Sequence, residues 1–158
     1  MSLNVKLLNK VKEHILAEPK RLRMEDWIVI KDKISAAQLA DNMIDFADCG
    51  TVGCIAGWTV MLGDPNFIKN SELCCSNGRV GQISEKAEAL LIIDDGAENN
   101  LFLHHSLYWL FHMSHWETKY WRPFYMADKP VQAKIVAAVI DDFIKKYGTK
   151  KIKKSKGA

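Results

Sequence analysis

The stretch Asp128-Lys129-Pro130-Val131-Gln132-Ala133-Lys134-Ile135-Val136-Ala137-Ala138-Val139-Ile140-Asp141-Asp142-Phe143-Ile144-Lys145-Lys146-Tyr147-Gly148 reads as one amphipathic helix. Asp128 is an N-cap residue and Pro130 falls in the first turn, where its missing N–H and fixed φ do no harm. Ile135, Val136, Val139, Ile140, Phe143 and Ile144 recur at helical spacing on one face, and Gly148 is a stop signal.

The same grammar recurs toward the N-terminus. Leu3 to Ala17 sets Leu8, Val11 and Ile15 at helical spacing, with Pro19 ending the pattern. Trp27 to Ile30 is a short β-prone run. Ser35 with Gln38 makes a capping box for a helix over 35–47 carrying Leu39, Met43 and Phe46. Thr51 is placed to cap a helix running to Gly63. Asn77-Gly78 has the chemistry of a tight hairpin turn, with Leu73 to Cys75 before it and Arg79 and Val80 after it. Ser84 is placed to cap a helix with Ala87, Leu90 and Leu91 inward, and Leu101 and Phe102 lead a further helical stretch into an aromatic block. The expected fold is therefore mainly α, a single compact domain of five to seven helices over residues 1–148 with one small β-hairpin.

Composition agrees. The chain has 158 residues and a mass of 18.0 kDa, 48% apolar and 26% charged, which fits one globular domain and excludes collagen-like repeats and wholesale disorder. No apolar run reaches the roughly 18 residues that span a bilayer, and the N-terminus lacks a signal-peptide block, so a cytoplasmic protein with reduced cysteines and no membrane contact is expected. Of 22 basic residues, five lie in the last ten, leaving 17 against 19 acidic residues in the body. Residues 149–158 read as a flexible lysine-rich tail, a solubilising end that also offers weak, salt-sensitive contact to polyanions.

Cys49-Gly50-Thr51-Val52-Gly53-Cys54-Ile55-Ala56-Gly57-Trp58 is the most unusual segment. In a helix, Gly53 and Gly57 would each cost about 1 kcal/mol relative to alanine. Tight packing of a flattened helix side is the plain compensation, and a ligand approaching the backbone is the other. Cys54 would fall in the first turn, where unsatisfied N–H groups favour a thiolate, so a cysteine hydrolase or transferase using Cys54 with His112 as base is an alternative. Buried cysteines more often serve as small apolar groups.

These residues also carry a resemblance. Met24 and Trp27, then Cys49-Gly50-Thr51 with Cys54-Ile55-Ala56-Gly57-Trp58, resemble a family of small uncharacterised proteins met in bacteria and their phages. The hallmark of that family is a Cys-Gly-Thr-x-x-Cys-Ile-Ala-Gly-Trp core. The likeness covers residues 24–62 and, more weakly, 84–103. It implies a phage or mobile-element setting, and the host cytoplasm if phage-encoded. It also implies a structural role for Cys49, Gly50, Thr51, Gly53, Cys54, Gly57 and Trp58. No activity comes with it.

His104 to Trp121 lies outside that likeness and holds four of the five histidines. On a continuous helix His105, Tyr108, His112 and His115 would share a face. His112 and His115 with Cys49 and Cys54 make an alternative four-ligand zinc site, although two residues between the histidines are fewer than zinc fingers use. Trp109, His112, Trp116, Tyr120, Trp121 and Arg122 are the candidate binding residues, because exposed Trp and Tyr anchor protein partners and stack on rings such as those of a nucleotide. With no complete catalytic set and no required cofactor, the favoured expectation is a non-catalytic binding protein. It would be an accessory factor that engages a host protein or sequesters a small ligand, with homo-oligomers allowed.

Overall fold

A computed structural model describes residues 2–24, 28–29, 52–66, 80–93 and 100–148. Six α-helices are found among the described residues: α1 (Val5–Ala17), α2 (Ile55–Gly63), α3 (Val80–Leu91), α4 (Asn100–Phe111), α5 (Thr118–Met126) and α6 (Lys129–Tyr147). Single 3-10 turns stand at Pro19–Arg21 and Met113–His115. Four two-residue strands, β1 (Ser2–Leu3), β2 (Ile28–Val29), β3 (Val52–Gly53) and β4 (Ile92–Ile93), make two antiparallel pairs, β1 with β4 and β2 with β3. The fold is mainly α with minor β structure, as the periodicity requires.

α6 follows its sequence closely. Asp128 Oδ1 accepts from the Val131 N–H at 3.1 Å, and Val136, Val139, Ile140 and Phe143 are buried while Ile135 and Ile144 are half-buried. Gly148 ends the helix with φ −71°, so its role is not left-handed backbone. A Cβ there would come within 2.6 Å of the Ile144 carbonyl and 3.0 Å of Val5 Cγ2. α1 packs its Leu8, Val11 and Ile15 face against α6 and α2, and Lys12 meets Asp141 at 2.6 Å on the rim. Asn4 caps α1 by accepting from the Leu7 N–H at 3.1 Å. Its amide also donates to Leu90 O, and its own N–H to Leu91 O, which fixes the start of α1 on the end of α3.

Several expected boundaries move. α2 begins at Ile55 with Cys54 as N-cap, so Thr51 is not the cap and Gly53 does not share a helix with Gly57. Gly53 instead sits in β3, opposite Ile28 and bridged to Leu22, and its carbonyl accepts from the Arg23 N–H at 3.0 Å. The β-prone run before it was thus a pairing partner for the glycine segment. α3 starts at Val80, which puts Ser84 inside the helix and not at its cap. Val80, placed by sequence in the return strand of a hairpin, is helical. The Asn77-Gly78 turn, the helix over 35–47, Cys49 to Thr51 and the lysine tail lie outside the described residues.

One core unites the six helices. Trp58, Leu8, Ile15, Leu91, Leu107, Ile140 and Val136 are among its fully buried side chains. α2 is buried almost all round, which fits its uniformly apolar sequence. No described helix is long and apolar enough to cross a membrane.

Candidate functional site

The aromatic block does not form one helix. α4 ends at Phe111, the chain reverses through Met113–His115, and α5 sets out from Thr118. Trp116 locks the reversal: its ring is buried, its indole N–H donates to Leu110 O at 3.1 Å, and it meets Phe124 edge-on at 5.8 Å. The expected shared face of His105, Tyr108, His112 and His115 is therefore corrected. His112 meets Tyr108 from one helical turn on, its N–H bonded to Tyr108 O and the ring centroids 4.2 Å apart, whereas His115 reaches Tyr108 because the chain folds back, at 5.3 Å.

The reversal opens a groove of about 400 Å³ between α4 and α6, closed at one end by the start of α5. Leu110, Trp116, Val139 and Phe143 make an apolar floor. On the α4 wall Trp109 is half exposed and stacks on His115, with centroids 5.4 Å apart and planes 28° from parallel. Its indole N–H donates to His105 Nδ1 at 3.1 Å, so Nδ1 is the acceptor and the neutral imidazole carries its proton on Nε2. The α6 wall presents Asp142, Lys146 and Tyr147.

At the closed end four side chains interlock. The Tyr120 hydroxyl donates to Asp142 Oδ2, and Lys119 reaches the same oxygen at 3.3 Å and Glu117 at 3.2 Å. Bonds from Tyr120 and then Lys119 hold the Asp142 carboxyl below its usual pKa, so it is charged across the neutral range. Desolvation, then the bond to Asp142, raises that of Tyr120.

Of the residues singled out by sequence, Trp109, Trp116 and Tyr120 line the groove. His112 is not in its wall. Trp121 and Arg122 face elsewhere on α5, with the Arg122 guanidinium 5.6 Å above the Trp121 ring. Arg122 therefore brings no charge to a ligand in the groove. The α6 contributors Asp142, Lys146 and Tyr147 were missed. Their signal was the pairing of Asp142 with Lys146, and of Phe143 with Tyr147, one turn apart on the margin of the core face.

Cys54 is only 2% exposed, and its Sγ accepts from the Gly57 N–H at 3.5 Å, an N-cap contact that serves α2. His112 and His115 lie 6.4 Å apart between ring centroids. No group of three or more His, Cys, Asp or Glu side chains suited to a metal occurs among the described residues, and Cys49 is outside them.

Burial, and then the charge of His115, lowers the pKa of His112; burial, and then Arg21, lowers that of His14. The folded state thus binds fewer protons than the unfolded one near pH 6. The stability these groups carry is full above the unfolded value of about 6.5 and is lost as pH falls through their lower folded values. A thermal-melt series from about pH 7.5 to about pH 5 should show a falling midpoint, with a shallower slope in His112→Gln. An identical slope in that variant would contradict this assignment.

No protein-family model matches the chain, and neither a curated protein nor a solved structure is significantly similar to it.

Proposed function

We propose that this is a non-catalytic binding protein whose working surface is the groove between α4 and α6. The reading is carried by one observation: a groove of about 400 Å³ with an apolar floor keeps a large indole, Trp109, half exposed at its rim. Ligand pockets of about 300–1,000 Å³ typically combine such a floor with a few oriented polar groups. Here those groups are the His105 Nε2–H, the Asp142 carboxylate and the Lys146 ammonium. Cys54, the one thiol considered as a nucleophile, is buried in the cap of α2 and does not line the groove. A ring-bearing small ligand or a partner's aromatic side chain fits it, in keeping with an accessory factor that sequesters or blocks. The cytoplasm, and a phage or mobile-element setting, follow from the sequence resemblance and belong to the same proposal.

A thermal-shift screen of ring-bearing fragments against three proteins tests it. Fragments that stabilise the wild type should bind Trp109→Ala about tenfold more weakly, for ~1.4 kcal/mol of lost stacking. They should bind Trp121→Ala unchanged. Equal effects of the two substitutions, or no stabilising fragment, would overturn the groove as the binding surface.

A further inference from the structure

The floor of the groove sets no charge preference, so its rim decides what kind of ring enters. The carboxylates Glu117 and Asp142 both belong to the lining, and they converge at the closed end beside Trp116 and Tyr120. On the described side chains, both bonds to Asp142 go to Oδ2, from the Tyr120 hydroxyl and from Lys119, which leaves Oδ1 as an acceptor at the rim. Against them stands one ammonium in the lining, Lys146, which lies over the Tyr147 ring at 5.2 Å.

Two rings of the groove already attract cations. Lys119 sits 4.7 Å from the Tyr120 centroid and Lys146 is placed likewise on Tyr147. The face of an aromatic ring is negative, and an ammonium over it is stabilised by about 0.5–2 kcal/mol according to its desolvation. Lys119 is more than half exposed and bridges Glu117 and Asp142 at the surface, where water competes for such pairs, so a ligand cation can take its place. An anion has the opposite prospect. It would meet two carboxylates, with Lys119 already engaged in bridging them and Lys146 the one ammonium of the lining, and Arg122 is turned away over Trp121. A phosphate group is therefore poorly served, which sets the groove apart from a nucleotide site.

We infer that the groove takes an amphiphilic organic cation, with an apolar or aromatic body on Leu110, Val139 and Phe143 and an ammonium or guanidinium head against Tyr120, Glu117 and Asp142. This rests on the groove being the binding surface. In the complex the head displaces Lys119 from Asp142 Oδ2 or pairs with Oδ1, and the indole of Trp109 covers the body.

Three probes sharing one ring separate the charge preference from the groove itself: benzyltrimethylammonium, benzyl alcohol and benzyl phosphate, each titrated against tryptophan emission of the full chain. The cation should bind about tenfold more tightly than the alcohol, and the phosphate more weakly than either. Asp142→Asn keeps an acceptor for Tyr120 and should erase the cation's advantage over the alcohol. Lys119→Ala should move it the other way, tightening the cation by removing its internal rival. Melting curves of both variants check that the fold is intact. If cation and phosphate bind alike, or if Lys119→Ala weakens the cation, the inference fails while the groove stands as a ring-binding surface. If none of the three binds, the inference and the binding surface fail together.

Discussion

Replacing Trp58 by alanine is expected to remove about 3–5 kcal/mol of folding stability, the usual cost of emptying a large aromatic site in a packed core. Trp58 is 2% exposed and stands on α2, the helix buried almost all round, with the His14 ring of α1 at 4.1 Å between centroids. Losing it opens a hole between α2 and α1, and the cavity left behind adds to the lost burial. Domains of this size have roughly 5–15 kcal/mol in hand, so the variant should sit near its unfolding threshold at room temperature. Equilibrium urea unfolding would show a strongly lowered midpoint at unchanged slope. Trp58→Phe should cost far less, because it keeps most of the ring and removes an indole N–H that has no hydrogen-bond partner among the described residues. Equal losses for the two variants would mean that the aromatic volume is not what holds α2 in place.

The second large effect is expected at Leu8, which is fully buried on the face of α1 that meets the core. Leu8→Ala should cost about 2–5 kcal/mol, whereas Lys12→Ala, which removes the ion pair to Asp141, should cost no more than about 1 kcal/mol. The pair is short but its carboxylate is well exposed, so water competes for both partners. Urea midpoints of the two variants, measured side by side, decide whether apolar burial or charge joins α1 to α6. A larger loss from Lys12→Ala would reverse that ranking.

The helices were legible wherever one face carries the apolar residues. α1 and α6 have clear stripes: Leu8, Val11, Ile15, Val136, Val139, Ile140 and Phe143 are buried as the spacing expects, Leu7, Ala133 and Ala137 are buried beside them, and Ile135 and Ile144 only half so. α2 was harder, because its apolar residues surround it and give no phase from which to place its start. The Cys54 cap depends on β3 pairing with a strand more than twenty residues earlier in the chain, which local pattern does not encode. The break after Phe111 was invisible for a related reason. No proline or glycine stands between His112 and Glu117, and the chain reverses because Trp116 finds Leu110 O and Phe124. The groove was half legible. The density of Trp109, Trp116 and Tyr120 pointed to it, but its other wall comes from α6, whose Asp142 and Lys146 look in sequence like ordinary solvent-facing charges.

The packing of α1 against α6 also has a bearing on how the protein is made. The apolar stripe Leu8, Val11 and Ile15 packs on α2 and on α6, and the second of these partners lies near residue 140, as the Lys12–Asp141 contact marks. Synthesis at about 5–20 residues per second leaves the part of that stripe that α6 covers open for several seconds at least. Nascent chains would therefore offer α1 to holding chaperones, and the last cooperative step of folding must wait until translation of α6 is complete.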